Sequence, residues 1–218
     1  MNLFSFIGDL LHVTSILILL FKIKSDRSCA GISLKSQILF TIVFTTRYLD
    51  LFSNYVSFYI TIMKIVYLAL SYYTLYLMNK FKFTYDKDHD TFRVQYLIVP
   101  CLVLAIITYG EPTHPGFFSL LLEILWTFSI YLESVAILPQ LVLVQRTGEV
   151  ELLTSNYIVC LGGYRAFYFI NWIYRIFIDN WSGKIVMLAG LIQTALYIDF
   201  FYYYFQSKWS GGKLVLPN

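Results

Sequence analysis

The 218-residue sequence predicts an all-α integral membrane protein of seven transmembrane helices, laid out as two parallel three-helix repeats around one linker helix, a 3+1+3 plan. Three observations predict it. With 58% hydrophobic and only 13% charged residues, the chain has too little polar surface to cover a soluble globule of its size. Seven apolar stretches, each close to the ~20 residues that cross ~30 Å of hydrocarbon, lie between polar breaks. The first three stretches also resemble the last three.

The first stretch, about 3–23, has no basic residue before it and holds Asp9 and His12, so it reads as a retained helix rather than a cleavable signal. The second and third run from about 36 to 55 and 57 to 78, completing a first repeat of about 3–78. The fourth, about 94–109, is the shortest and contains Pro100; without it both chain ends would face the same side. Stretches at about 117–144, 156–178 and 185–205 form the second repeat, and 206–218 is a tail, all within one membrane domain. SILILLFKIK followed by SQILFTIVFTTRYLDL in the first half matches ILPQLVLVQR followed by SNYIVCLGGYRAFYFI in the second. Loop charge gives the orientation. Lys22, Lys24, Arg27, Lys35, Lys80, Lys82, Lys87, Arg93, Arg146, Lys208 and Lys213 fall on one side and only Lys184 on the other. Positive-inside bias then puts the N-terminus outside or in the lumen and the C-terminus in the cytosol.

A carboxylate at Glu133, inside WTFSIYLESVAILPQL, needs a reason, because an unpaired charge in hydrocarbon costs at least ~2.5 to 3.5 kcal/mol. Depth along the helices supplies one. Asp50, Glu123 and Arg175 lie near the lumenal ends, His12, Arg47, Arg165 and Glu133 near the middle, and Asp199 deeper still. Together these residues imply a polar cavity in which Arg47, Arg165 and His12 are partners for Glu133. One reading is a set of ion pairs that fixes helix register. The other is a ligand site with arginines below and carboxylates at the mouth, suited to a ligand whose anionic end enters first and whose cationic group follows. The two levels are roughly 10 to 14 Å apart, about four residues of extended peptide at ~3.3 Å each.

His12 is either a neutral buried histidine satisfied by a neighbour or a proton switch coupled to Glu133, its ordinary pKa being ~6.5. Trp126, one turn below Glu123, and Trp172, one turn before Arg175, are placed to wall the cavity mouth. Pro139-Gln140 either kinks the fifth stretch or serves as its hinge. Cys29, Cys101 and Cys160 are scattered, as are His12, His89 and His114, so neither a disulfide framework nor a metal site is indicated. No cofactor is implied. The formal charge of +3 comes without a basic, aromatic-interleaved cluster, which argues against nucleic acid.

SCAGIS with KSQ, FTTRYLDL at 44–51, HDTFRV at 89–94, EILWTFSIYLESVAILPQL at 123–141, YRAFY with NWIYR at 164–175, and QTALYIDFFYYY at 193–204 resemble the KDEL receptors, in order and along the whole chain. The resemblance implies a SWEET/PQ-loop-like fold and a receptor that binds proteins ending in KDEL or HDEL in the acidic Golgi, returns them in COPI vesicles, and releases them at the pH of the endoplasmic reticulum. Its expected partners are those C-terminal peptides, protons, the COPI coat through the cytosolic tail, and membrane lipid. Residue by residue, it implies that Arg47, Tyr48 and Arg165 take the peptide carboxylate. Asp50, Glu123 and Trp126 receive the first signal residue, Arg175 pairs with the signal aspartate, and Trp172 lines the cavity. His12 resembles the proton sensor, Glu133 with Tyr164 the pair that locks the liganded state, and Asp199 the transport-linked aspartate.

Two departures stand out. Ser5 replaces the arginine that contacts the signal glutamate in the family, and the tail KWSGGKLVLPN keeps only Lys208 and Lys213 for sorting. Asn180-Trp181-Ser182 is a glycosylation sequon in a short lumenal loop. The rival reading is a SWEET- or PQ-loop-type small-solute transporter, since fold alone does not fix function. An enzyme is disfavoured, because no nucleophile and base set appears.

Overall fold

The structure, a computed structural model, describes residues 2–52, 55–111, 115–180, 183–210 and 214–215, with the side chains of Phe52, Glu149, Asp199, Lys208, Ser210, Leu214 and Val215 left aside. His114, Trp181, Ser182 and Lys213 therefore lie outside the described residues.

Helix α1 runs Leu3–Asp26 and opens with a capping box, in which the Asn2 side chain accepts from the Ser5 N–H and the Ser5 hydroxyl accepts from the Asn2 N–H. Helix α2, Leu34–Arg47, starts at Ser33, whose hydroxyl accepts the Ser36 N–H, and ends at Tyr48, followed by a 3₁₀ turn at Leu49–Phe52. Helix α3 spans Phe58–Lys80 behind a Ser57 cap, and α4 spans Gln95–Thr108 around Pro100. The fifth stretch is broken: α5 covers Phe117–Val135 and α6 Leu138–Thr147, with Pro139 in the first turn of α6, where its missing N–H leaves no helical acceptor unsatisfied. Helix α7, Leu152–Asp179, is the longest at 28 residues. Helices α8, Lys184–Leu196, and α9, Ile198–Ser210, are separated at Tyr197.

Among the described residues, four helical runs are long and apolar enough to cross a membrane: Leu3–Asp26, Phe58–Lys80, Phe117–Thr147 and Lys184–Ser207. The shorter apolar α4 and the polar-studded α2 and α7 fall outside that set. At ~1.5 Å per residue the 14 residues of α2 reach only about 21 Å, so the described part of the predicted stretch 36–55 begins as a shorter helix followed by a turn at Leu49–Phe52. The last helix runs to Ser210, so the predicted tail loses its first residues to α9. One feature is not helical. Glu149–Val150 and Leu214–Val215 pair as antiparallel two-residue strands, tying the chain end to the α6–α7 connection.

Helix α1 packs on α3 and, most extensively, on α7; α2 packs on α3 and α5; α8 packs on α5 and α7; and α4 packs on α5. Leu19, Ile23, Leu39, Val43, Leu132 and Ile158 sit at the centre of the interior. Val99, Leu102, Val103, Ile106 and Ile107 of α4 are exposed, an outward surface that suits acyl chains rather than water.

The lysine-rich end is closed by hydrogen bonds. Gln140 is fully buried; its Oε1 accepts the Ser33 N–H at 2.8 Å, its Nε2 donates to the Gly31 carbonyl at 2.8 Å, and its backbone N–H donates to Ser36 Oγ at 3.0 Å. Asp90, also buried, accepts from the Ser33 and Tyr85 hydroxyls at 2.9 and 2.5 Å. Burial and the Asp90 carboxylate push the Tyr85 phenol well above its ordinary pKa, which keeps it a donor.

Candidate functional site

Glu133 reaches the centre of the bundle near the end of α5, which stops two residues later at Val135, and its carboxylate meets side chains from α2 and α7. Its carboxylate is 3% exposed. Arg47 Nη1 and Arg165 Nη2 both converge on Glu133 Oε2, while the Tyr164 hydroxyl donates to Oε1 at 2.8 Å. Arg47 also donates from Nε to Ser129 Oγ at 3.0 Å. Arg165 Nε, by contrast, is buried without a hydrogen-bond partner among the described residues. Two guanidinium groups thus share one carboxylate. The cluster carries a net positive charge and one unsatisfied donor, so it has capacity for a second anion.

His12 joins this cluster through its ring. It is 5% exposed and lies flat on Tyr164, with ring centroids 3.9 Å apart and planes 3° from parallel. Phe44 and Tyr67 enclose its other sides at 5.5 and 4.7 Å. The charges close enough to act on it are those of Glu133, Arg165 and Arg47. One turn earlier, Asp9 is clasped by two tyrosines, accepting from Tyr168 at 2.5 Å and from Tyr59 at 2.8 Å.

Two chambers adjoin the cluster. One of about 260 Å³ is lined by Asp9, His12, Tyr48, Lys64 and Tyr168; the other, of about 150 Å³, by Trp126, Ile130, Val186 and Gln193. Arg47, Glu133, Arg165 and Trp172 line both, so the ion-pair cluster is the partition between them. Two wall rings sit against glycines. A Cβ added at Gly190 would fall 2.2 Å from the Trp172 ring, and one added at Gly8 would fall 2.7 Å from the Tyr168 ring.

The structure therefore brings His12, Arg47, Glu133, Tyr164 and Arg165 together, with Tyr48 at the cavity wall near Phe44 and Tyr67. Other expected site residues are engaged elsewhere. Asp50 is held by Lys64, whose Nζ donates to its two oxygens at 2.8 and 2.7 Å. Glu123 accepts from the Gly110 backbone N–H, and Arg175 pairs with Asp179 at 3.4 Å on the exposed end of α7. Neither Glu123 nor Arg175 lines the two chambers. Ser5 is committed to the cap of α1. The side chains of Asp199 and Lys208 lie outside the described residues.

Asp9, Tyr59, Tyr168, Lys64 and Ser129 escaped the sequence reading as site residues. Asp9 and Lys64 were legible as charges within apolar stretches. The tyrosines were not, because 19 tyrosines give no way to choose two.

A family model described as ER lumen protein retaining receptor matches residues 28–175. Along its full length the chain is similar to the ER lumen protein-retaining receptor of Dictyostelium discoideum, at 73% identity over 219 residues covering 100% of both chains. It is likewise similar to that of Drosophila melanogaster at 56% and to ER lumen protein-retaining receptor 2 of Homo sapiens at 55%, each over 218 residues and 100% of both chains.

Proposed function

The chain belongs to the ER lumen protein retaining receptor family, and we propose that it is a pH-dependent receptor for C-terminal KDEL- or HDEL-type signals, returning escaped lumenal proteins from Golgi to endoplasmic reticulum in COPI vesicles. One observation carries the binding step: two arginines share a single oxygen of Glu133 at the wall of a cavity. A peptide's terminal carboxylate offers two oxygens in the geometry guanidinium groups prefer, and it competes with Glu133 for Arg47 and Arg165. Glu133 then needs another cation. His12, across the Tyr164 ring, supplies one when protonated, so acid favours the liganded state and neutral pH favours the return of the arginines to Glu133.

Trp126, in the wall of the second chamber, and Asp50, held by the chamber-lining Lys64, are the proposed contacts for the signal's cationic first residue, for which Asp50 must leave Lys64. Tyr48 and Trp172 contribute ring surface, Glu123 and Arg175 stand at the mouth, Asp199 couples to transport, and Lys208 and Lys213 meet the coat in the cytosol.

The proposed architecture is seven spans in a 3+1+3 repeat. The packing supports it, because α1 with α3 and α2 with α3 correspond to α5 with α8 and α7 with α8, while α1 with α7 and α2 with α5 exchange under the same operation. A small-solute carrier suits this floor less well, since two guanidinium groups and a carboxylate would have to be desolvated around an uncharged solute.

The test is titration of purified protein with a labelled peptide ending in HDEL or KDEL at about pH 5.5 and about pH 7.5, either side of the ordinary imidazole range, with an amidated peptide and a solute-uptake assay alongside. Tighter binding of the free acid at the lower pH is expected. Equal binding of acid and amide, or solute uptake without peptide binding, would overturn the reading.

A further inference from the structure

A cavity of about 880 Å³, much larger than either chamber, opens at the lysine-rich end between α2, α3 and the segment that follows α3. Its floor is apolar: Leu34 and Ile38 lie one turn apart on α2, and Leu75 and Met78 one turn apart on α3. Its rim carries Lys82 and Lys87, both exposed, together with Asp86 and Asp88. The charges are not equally available. Asp86 accepts from the His89 N–H at 3.2 Å and pairs with its ring at 2.7 Å, Asp90 below takes the Ser33 and Tyr85 hydroxyls on Oδ2, and Asp88 stands exposed on the rim. No carboxylate partner is recorded for Lys82 or Lys87 among the described residues, and Lys82 rests 5.6 Å over the Phe83 ring, which is 92% exposed.

We infer that this cavity holds one glycerophospholipid, with its phosphodiester between Lys82 and Lys87 and an acyl chain on the Leu34, Ile38, Leu75 and Met78 floor. The groove begins on α3, a helix long and apolar enough to cross a membrane, so the floor faces acyl chains and the lysines stand where helix gives way to loop. A diacyl lipid satisfies both halves at once: apolar surface is covered, and two ammonium groups gain an anion. The exposed Phe83 ring fits the same boundary, where an aromatic side chain marks the interface between tails and headgroups. A soluble acidic peptide would leave the floor only partly covered. The volume, about 880 Å³, falls within the ~300 to 1,000 Å³ typical of ligand sites, enough for the headgroup region and part of one chain.

Native mass spectrometry of the full chain, delipidated and then titrated with dioleoyl phosphatidylserine, tests this directly, with dioleoylglycerol as the same tails without phosphate. One saturable phospholipid is expected on the wild type, with dioleoylglycerol markedly weaker. Lys82→Gln and Lys87→Gln should each weaken that first lipid by about fivefold, the effect of one lysine at a phospholipid surface. Leu75→Trp, which fills the floor without changing charge, should weaken it as well. Unchanged thermal unfolding of the two lysine variants, whose side chains are exposed, establishes that the losses are local. The inference fails if the lysine variants hold phosphatidylserine as the wild type does, if dioleoylglycerol binds equally, or if lipid adducts accumulate with no saturable first one. None of these outcomes depends on peptide binding at the charged cluster, so the two proposals stand or fall separately.

Discussion

His12 and Tyr164 are stacked, with centroids 3.9 Å apart and planes within 3°, and the Tyr164 hydroxyl donates to Glu133. The stack connects the imidazole to the carboxylate without a direct bond between them. By reciprocity, if peptide displaces Glu133 from the arginines and thereby favours a proton on His12, affinity must rise as pH falls through the imidazole range. A tenfold change requires only ~1.4 kcal/mol of coupling. His12→Ala should flatten the affinity profile between about pH 5.5 and pH 7.5, while His89→Ala and His114→Ala keep its slope. Peptide titrations of the three variants check this, and an unchanged slope in His12→Ala would remove the residue from the mechanism.

Arg47→Ala and Arg165→Ala should each lower affinity for a free-acid peptide by about 2 to 5 kcal/mol, the usual effect of removing one partner of a desolvated charge pair. Arg→Lys should restore only part, since an ammonium group cannot bridge two oxygens in a plane. Glu133→Gln should lower thermal stability by about 3 to 5 kcal/mol, leaving the buried Arg165 and the half-buried Arg47 without their counter-ion. In the double variant Glu133→Gln/Arg47→Gln the loss should be smaller than the sum of the singles, a non-additivity that thermal unfolding can measure.

Ser5→Arg should act in two directions. It removes the Ser5 hydroxyl's half of the capping box while the Asn2 cap stays, which costs less than the ~0.5 to 2 kcal/mol of losing an N-cap side chain. The new guanidinium group, one turn above Asp9, should tighten signals with glutamate next to the last residue by about 1 to 2 kcal/mol. A signal with glutamine there is the control, and an equal gain for both would show that the arginine is not reading the glutamate. Thermal unfolding separates the first effect from the second.

Gln140→Ala should destabilise by about 2 to 6 kcal/mol, because it orphans the buried Ser33 N–H and the Gly31 carbonyl at ~1 to 3 kcal/mol each. Pro139→Ala, at a position that needs no N–H, should change stability far less. Unfolding midpoints of the two variants in detergent check this. A large loss in Pro139→Ala with little in Gln140→Ala would show that the proline ring rather than the amide secures the α5–α6 break.

The charged floor was legible because hydrocarbon offers nothing else to a carboxylate at Glu133, so Arg47 and Arg165 had to meet it. Pro139 likewise announced the interruption of the fifth stretch, although its position at Ala136–Ile137 depended on how α6 packs against α2. Lys64 and Asp50 were not legible as a pair, because a 3₁₀ turn and a loop between α2 and α3 set their approach. Nor was the commitment of Ser5 to its own helix end. A cap is a matter of one hydroxyl's direction, which the sequence does not show.

The glycine behind Trp172 lets the cavity wall be reset through a residue that has no side chain of its own. With a methyl group at Gly190 falling 2.2 Å from the indole, even the smallest side chain on α8 has to push the ring toward Arg47 and Glu133, or push α8 away. Gly8 stands in the same relation to the Tyr168 ring, from the opposite helix. Each ring is therefore a wall whose position depends on the glycine behind it, Gly190 at the edge of the second chamber and Gly8 outside both. A lineage, or a laboratory, can alter which side chains the site admits without exchanging a single polar contact, and a search confined to polar residues would overlook the change.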